Sequence, residues 1–339
     1  MKIRKRLLAI TMASCLVAMG MTGCGNSETQ GSMSETSQSP SEGENLQIAV
    51  IVNSLSSEYW SYVQAGAEAY GEEHDGVEVK VMGPPSETSY DEQLNMIETT
   101  LQAGAYDGMV IAPSMPDSVN TIIQGTDMPI ISVNSNLESE ESLSFVGTGN
   151  EEAARQGGIA VVEAAKEAGW EEIVAINIGG IQGDPVHEDR TKGYQIGIEE
   201  AGGTFLENEI QYANCVADQA VTCMEAIMQT HPEGVAIIVC NNDEMAMSAA
   251  RTAADNAAYA NTIFCGFDGI LSACESILDG EETMSVAQDP YGMGYQSVAS
   301  CVAAIHGETL DAFVDTGCSI ITADNAQEHM NTLKSYLDH

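Results

Sequence analysis

Polar side chains follow three apolar segments in the second half of the chain, where they could form hydrogen bonds to a ligand. Asn242 comes just after the apolar run that ends at Cys240, Asp268 follows residues 264–267, and Gln288 follows residues 285–287. A primary amide donates and accepts hydrogen bonds at once. A carboxylate accepts two bonds that its charge strengthens. Side chains of these types at strand ends could exchange hydrogen bonds with a small polar molecule.

Acid and base side chains also cluster once, around Asp184, His187 and Asp189. This stretch has the composition of a polar loop that leads into a helix and caps it. The sequence contains no His-Glu-x-x-His, Gly-x-Ser-x-Gly or Gly-x-x-x-x-Gly-Lys-Ser/Thr run. We therefore expect a binding protein without a cofactor or a metal site, and not an enzyme.

Short apolar strands alternate with helical segments along most of the chain. In the first half the strand patterns lie at residues 46–52, 77–82, 109–113 and 129–134. The same rhythm restarts after residue 150, with strand patterns at residues 173–178, 235–240 and 262–267. Near-continuous apolar strands between helices predict parallel sheets that are covered on both faces. One long sheet of this size would be unusual, so two similar α/β halves are expected, with ligand chemistry at the carboxyl ends of their strands.

Three motifs occur in the order seen in ribose-binding-type periplasmic proteins: VCNNDEMA at 239–246, GFDG at 266–269 and VAQDP at 286–290. The chain resembles that family from about Leu46 to near its end. The resemblance implies the type I periplasmic-binding-protein fold, with two doubly wound parallel-sheet domains joined by three hinge crossovers. It places residues 46–148 and 286–320 in an N-terminal lobe, and residues 149–285 and 321–339 in a C-terminal lobe.

The resemblance also implies roles for residues that patterns alone do not single out. Arg190 stands where the family carries a ligand-binding arginine, whose rigid fork suits adjacent hydroxyls. Tyr59 and Trp60 stand where paired aromatic rings stack on sugar. The complete expected ligand set is Tyr59, Trp60, Asn134, Arg190, Asn242, Asp268 and Gln288. In this hypothesis the second half closes on the first around the ligand, and Gln288 senses closure from its place near a crossover.

Each of these residues has a purely structural alternative. Tyr59 and Trp60 could simply pack at the start of a helix. Asn242 could cap the helix that follows it, and Asp268 could shape a turn. Arg190 could pair with a neighbouring acid on a solvated helix face.

The sequence departs from the ribose binders at two places. Asn134-Ser135 stands where they carry an Asp-Arg pair, and Asn214-Cys215 replaces an expected aromatic. The loss of a carboxylate, a guanidinium and a ring favours a larger or differently hydroxylated ligand than ribose.

The first residues have the features of a secretory leader. A cationic cluster at residues 1–6 precedes an apolar run of about 15 residues, shorter than the roughly 20 that span a bilayer. The run stops at small residues before Cys24. Residues 1–23 therefore resemble a bacterial lipoprotein signal peptide, which implies lipidation of Cys24 and membrane attachment; an ordinary signal peptide with an incidental cysteine is the alternative. Residues 24–45, rich in Ser, Glu and Gly, are expected to form a flexible tether.

The formal net charge of −40, from 11 basic and 51 acidic residues, excludes nucleic acid as a partner. Seven cysteines follow Cys24, an odd number without a Cys-x-x-Cys motif. Several lie in apolar strands, where a thiol acts as a small buried hydrophobe. Structural thiols are the leading interpretation, with one or more disulfides as the alternative.

Taken together, the sequence predicts an extracytoplasmic, lipid-anchored solute-binding protein that acts as a monomer. Its predicted ligand is a monosaccharide, and its predicted partner is the permease of an ABC importer. Two alternatives stay open: a sensory protein whose closed form is read by a membrane receptor, and a binder of a nucleoside or an amino acid. A sugar-responsive repressor is not expected, because no basic helix-turn-helix precedes the binding core.

Overall fold

The computed structural model describes residues 45–337. The predicted signal peptide, the lipidation at Cys24 and nearly all of the predicted tether lie outside this part, as do the last two residues.

Thirteen strands and ten α-helices alternate along the described chain. The strands are β1 (Leu46–Ile51), β2 (Val77–Met82), β3 (Gly108–Ile111), β4 (Ile130–Val133), β5 (Ser142–Gly147), β6 (Val174–Gly179), β7 (Thr204–Phe205), β8 (Gln211–Tyr212), β9 (Ile237–Cys240), β10 (Ile263–Asp268), β11 (Met284–Ala287), β12 (Phe313–Asp315) and β13 (Ser319–Ile321). The helices are α1 (Glu58–Glu73), α2 (Tyr90–Ala103), α3 (Pro116–Ile123), α4 (Asn150–Glu167), α5 (Pro185–Glu200), α6 (Ala217–Thr230), α7 (Asp243–Ala253), α8 (Leu271–Asp279), α9 (Pro290–Ile305) and α10 (Ala326–Leu337).

The strands form two separate sheets, as the sequence predicted. The first has the order β12-β5-β4-β3-β1-β2 and is parallel throughout. The second has the order β13-β11-β10-β9-β6-β7, with β8 also pairing with β6, and only β13 runs antiparallel. In each sheet the second strand of the lobe lies on one side of the first strand, β1 or β6, and the following strands are added on the other side. The direction of winding therefore reverses beside β1 and beside β6. A crevice for a ligand opens at the carboxyl ends of the strands at such a switch point.

The chain crosses between the sheets three times: from β5 to α4, from β11 to α9, and from β12 to β13. The lobe boundaries expected from the sequence need a correction. Residues 286–287 and 319–320, which were expected in the N-terminal lobe, belong to the second sheet. The reason is strand pairing: β11 pairs with β10, and β13 pairs with β11.

The core lies on both faces of each sheet. The strands β3, β4, β9 and β11 are buried at every residue, which explains their continuous apolar sequences. In the first lobe, α1 and α9 pack closely because each carries a glycine at the crossing. A Cβ atom at Gly66 would lie 1.9 Å from the carbonyl oxygen of Tyr291, and one at Gly294 would lie 2.0 Å from that of Val63. This contact attaches α9 to the first lobe after the second crossing.

Candidate functional site

A cavity of about 790 Å³, including the space at its mouth, lies between the two lobes at the carboxyl ends of the strands. Its wall contains six of the seven ligand residues expected from the sequence: Tyr59, Trp60, Asn134, Arg190, Asn242 and Asp268. The first three come from the first lobe and the last three from the second. Residues almost 210 positions apart in sequence, such as Tyr59 and Asp268, thus meet at one site.

Arg190 is buried and its guanidinium group is held firmly in place. Its Nε donates to Oδ1 of Asn150 (2.8 Å) and its Nη1 donates to the carbonyl oxygen of Asn241 (2.7 Å). The Nη1 atom also lies 3.4 Å from Oδ1 of Asp268, and the guanidinium carbon lies 3.9 Å above the Phe267 ring. Among the described residues, no hydrogen bond uses Nη2, so this end of the fork is available to a ligand. Arg190 therefore does not pair with a neighbouring acid on its own helix.

Asp268 ends β10 with a left-handed backbone conformation, φ 125°. Its Oδ1 accepts hydrogen bonds from Nε2 of Gln288 (2.7 Å) and from Arg190. Burial raises the pKa of this carboxyl well above its usual value, and the nearby Arg190 guanidinium acts in the opposite direction. Both bonds use one oxygen, which leaves Oδ2 free to accept from a hydroxyl group.

Gln288 is not among the residues that line the cavity. It is buried behind Asp268, at the crossing between β11 and α9, and its amide donates to that carboxylate. Its place links the carboxylate to the hinge rather than to the ligand space.

Two asparagines contribute in different ways. The Oδ1 atom of Asn242 caps α7 by accepting from the backbone N–H of Met245 (3.0 Å), so the structural alternative holds for that oxygen. Its Nδ2 remains available on the cavity side. Asn134 has φ 65°, and its Oδ1 is buried without a hydrogen-bond partner among the described residues. A buried acceptor without a donor is costly, and a ligand donor would satisfy it.

Tyr59 and Trp60 are both buried and meet edge to face, with ring centroids 5.1 Å apart. Trp60 donates from Nε1 to Oε1 of Glu87 (3.0 Å), which fixes the orientation of the indole. The Tyr59 hydroxyl lies 3.4 Å from the sulfur atom of Met293. Both rings therefore pack against protein on one side and line the cavity on the other, so packing and ligand contact coexist.

Sequence reasoning missed Glu87, Tyr90 and Glu244 of the wall, and it left Cys215 out of the expected ligand set. Glu87 lies in the irregular segment between β2 and α2, where no strand or motif marks it. Asn214 and Cys215 both adopt positive φ, 49° and 59°. The resemblance had already marked Asn214-Cys215 as the place of an expected aromatic, and that was the signal that could have placed them near the cavity.

The acid and base cluster does not form a catalytic pair. Asp184 caps α5 by accepting from the backbone N–H groups of Val186 and His187. The Nε2 atom of His187 lies 3.2 Å from Sγ of Cys215. Burial and the Arg190 charge lower the pKa of His187 to about 3, while burial raises the pKa of the Cys215 thiol. A neutral imidazole beside a protonated thiol is neither an activated nucleophile nor a charged acid.

The seven cysteines between Cys215 and Cys318 are all free thiols, and five of them are buried. Within residues 45–337, no group of three or more Cys, His, Asp or Glu side chains has the arrangement of a metal site. No helix in the same residues is long and apolar enough to cross a bilayer.

Two hinged α/β lobes that enclose a cavity of amides, carboxylates and aromatic rings define a two-domain solute-binding protein. The chain belongs to the periplasmic binding protein family, because its residues 48–309 match the periplasmic binding protein domain. The ribose-binding-type resemblance and the two-domain parallel-sheet fold expected from the sequence are thereby confirmed.

Relatives with assigned ligands cover most of the chain. A D-ribose/D-allose-binding protein of Pseudomonas aeruginosa is 25% identical over 94% of this chain and 98% of its own length. A D-allose-binding periplasmic protein of Escherichia coli is 28% identical over 73% of this chain and 81% of its own. Among solved structures, a carbohydrate transporter solute-binding protein of Agrobacterium radiobacter, in complex with D-arabinose, is 27% identical with a TM-score of 0.77, covering 86% of this chain and 99% of that one.

Proposed function

We propose that this protein acts outside the cytoplasm, where it captures a monosaccharide-sized polar ligand between its lobes. It then delivers the ligand to an ABC-type sugar importer. The observation that carries the proposal is that hydrogen-bonding groups without partners face one cavity from both lobes. The Oδ1 atom of Asn134 has no partner on the first lobe, and the free ends of Arg190 and Asp268 lie on the second. A polyhydroxylated ring supplies donors and acceptors to both sides at once.

The mechanism is capture by closure. Tyr59 and Trp60 cover the apolar faces of the ring, and Arg190, Asn242, Asp268 and Asn134 exchange hydrogen bonds with its hydroxyls. The ligand binds the closed arrangement better than the open one and so shifts the equilibrium towards it. The permease then recognises the closed form. Each protein molecule provides the complete site, so it functions as a monomer and needs no cofactor or metal.

A thermal-shift screen of the purified protein against pentoses, hexoses, inositols, nucleosides and amino acids tests the proposal. At 100 times its dissociation constant, a ligand adds about 2.7 kcal/mol to the unfolding free energy. A sugar that raises the midpoint supports the proposal. A response to nucleosides or amino acids alone would keep the binding mechanism and replace the ligand class. Sugar binding without uptake by the intact cell would favour the sensory alternative.

We further propose that Cys24 carries the lipid anchor and that residues 24–45 tether the lobes to the membrane. The support is the sequence alone, in which a cationic and apolar leader ends at small residues before this cysteine. A Cys24→Ala variant tests the assignment by fatty-acid labelling and membrane fractionation. Loss of label and release from the membrane are expected, whereas a variant that still carries label would contradict the anchor.

The absence of catalysis is proposed on chemical grounds. His187 is held neutral and the Cys215 thiol is held protonated, so neither is prepared to attack a bound sugar. A ligand incubated with stoichiometric protein and then recovered should be chemically unchanged by NMR.

A further inference from the structure

Carboxyl groups outnumber basic groups in the cavity wall. Four carboxylate side chains line it: Glu87, Asp184, Glu244 and Asp268. The same wall contains one permanently charged cation, Arg190, and one histidine whose lowered pKa keeps it neutral near pH 7. Glu244 lies at the exposed rim, and the other three are at least partly buried.

The single cation, Arg190, already forms an ion pair with Asp268. Of the ion pairs formed by residues 45–337, only that between Arg190 and Asp268 involves the cavity wall. Asp184 is satisfied by backbone N–H groups at the start of α5. Glu87 forms none of these ion pairs, although it contacts Ser57 and Trp60 at the start of α1 and the Arg190 charge acts to lower its pKa.

Glu87 is a partly buried carboxyl group of the wall that forms no ion pair within the described residues. Oε1 accepts from Trp60, and Ser57 also donates to this carboxylate. Burial nevertheless raises the pKa of Glu87 above its usual value. Its charge also acts across the cavity, because it contributes to the raised pKa values of Cys215 and Asp268 on the second lobe.

Asn134 gives an independent indication of the same chemistry. The residue is 9% exposed, lines the cavity, and has an Oδ1 atom without a donor within the described chain. Together with Glu87 and the free oxygen of Asp268, it gives the wall three acceptor groups for a ligand. An ammonium group has three donors and no acceptor, which suits such a set of acceptors.

The aromatic residues of the wall fit a cation as well. Tyr59, Trp60 and Tyr90 all line the cavity. The face of an indole or phenol ring attracts a cation within about 6 Å of its centroid, and most strongly in a partly desolvated site. The same faces cover the C–H surface of a sugar ring, so one set of rings serves both parts of an aminated sugar.

We propose that the ligand is an amino sugar, a monosaccharide-sized molecule whose protonated amine binds near Glu87. This inference rests on the proposed function of the same cavity and specifies its ligand class. Glu87 then determines specificity, because it attracts the amine and disfavours anionic sugars such as sugar phosphates and uronic acids.

The competing interpretation is that Glu87 only orients Trp60. A Glu87→Gln variant separates the two roles, because a glutamine oxygen can still accept from the indole N–H while the charge is removed. Glu98→Gln, at an exposed position of α2, is the matched control for loss of one acidic charge.

The experiment is isothermal titration of the purified protein with glucosamine, galactosamine and mannosamine, each compared with its neutral parent sugar and its N-acetylated form. At least one free amine should bind about tenfold or more tightly than both uncharged counterparts, as expected for a close charge pair in a partly desolvated site. Glu87→Gln should abolish that preference, so that the amine binds no more tightly than its uncharged counterparts. Glu98→Gln should preserve the preference.

Each other result decides against the inference. Neutral sugars that bind as tightly as their amines would overturn it and leave the proposed function standing. An amine preference that survives in Glu87→Gln would overturn the role of Glu87. If neither neutral nor aminated sugars bind, both the inference and the proposed function fail.

Discussion

At the scale of single residues, the polar groups predicted to bind the ligand are held by the protein on one side and left open on the other. Arg190 is fixed through Nε and Nη1, and Asp268 through Oδ1. Asn242 uses its oxygen to cap a helix and keeps its amide nitrogen for the cavity. Fixing each group before the ligand arrives reduces the entropy lost on binding.

Replacing Asp268 tests the central acceptor of the site. Asp268→Asn retains shape and the tolerance of asparagine for positive φ, but removes the charge and one acceptor. We expect the dissociation constant to rise by about tenfold to a hundredfold, in line with about 1.5–3 kcal/mol for a charge-assisted bond. Titration calorimetry measures the change, with Asp279→Asn at an exposed helix end as the control. Unchanged affinity with a normal melting midpoint would remove Asp268 from the site.

The buried carboxyl group of Asp243, next to the cavity residue Asn242, should make the stability of the protein depend on pH. Its carboxylate is fully buried and accepts from Ser285 Oγ (2.5 Å) and Ile270 N (2.9 Å), yet burial raises its pKa to about 6. The native state therefore binds this proton more tightly than the unfolded chain does. The stabilisation from this group is present at low pH and is lost as the pH rises from about 4 to 6.

Asp243→Asn should remove that contribution from the pH dependence. We expect the difference in unfolding free energy between variant and wild type to change by about 2 kcal/mol across this window, on the scale of 1.36 kcal/mol per pKa unit. Denaturant unfolding at pH 4, 5, 6 and 7 measures it. A difference that stays constant with pH would contradict the assignment of the slope to Asp243.

At the scale of elements, buried amides fix the strand ends that present the site. Gln93 lies behind the first lobe's switch point, where Nε2 donates to the carbonyl oxygens of Val52 (3.1 Å) and Ala112 (2.8 Å). In the second lobe, Asn177 within β6 donates to Val239 O (3.0 Å) and to Oδ1 of Asn241 (2.9 Å) at the end of the neighbouring strand β9. Each amide joins two neighbouring strands, so the side chains that follow are carried on a rigid edge.

The close packing of α1 against α9 can be tested by adding one methyl group at Gly66. Gly66→Ala would place Cβ against the Tyr291 carbonyl group, and a backbone group in a packed helix cannot easily move. We expect a loss of about 1–3 kcal/mol in unfolding free energy, as for other overpacked sites. Gly71→Ala in the same helix is the control, because its Cβ would meet a side-chain methyl of Val79 at 3.0 Å. Equal melting midpoints for the two variants would argue against the close crossing.

At the scale of the whole molecule, a direct contact joins the lobes beside the cavity. Glu58 begins α1 in the first lobe, and Ser272 lies in the first turn of α8 in the second. Oε1 of Glu58 accepts from the backbone N–H of Ser272 (3.2 Å), and Oε2 accepts from its hydroxyl (2.7 Å). Asp243 of the same lobe accepts from the backbone N–H of Ile270, whereas the N–H of Ser272 is bound by Glu58 only while the lobes are together.

Glu58→Ala should favour the open arrangement. Without the carboxylate, closure leaves the first turn of α8 unsatisfied, and the ligand must supply more of the closing free energy. We expect the dissociation constant to rise about tenfold, which corresponds to a loss of about 1.4 kcal/mol in binding free energy. We also expect a larger radius of gyration by small-angle scattering. Glu68→Ala, exposed on the same helix, is the control. A variant with wild-type affinity and scattering would show that the contact does not influence closure.

The sequence by itself determined the two α/β halves, the family resemblance and six residues that line the cavity. Strand periodicity and strand-end chemistry are local, so Asn242 and Asp268 could be recognised from their neighbours. The tertiary structure decided what depends on distant partners. Glu87 enters the wall from an irregular segment, Gln288 turns to support Asp268, and residues 286–287 pair with the second sheet. The physical reason is that burial, pairing and charge balance arise only when segments far apart in sequence meet, and no local pattern records which segments those are.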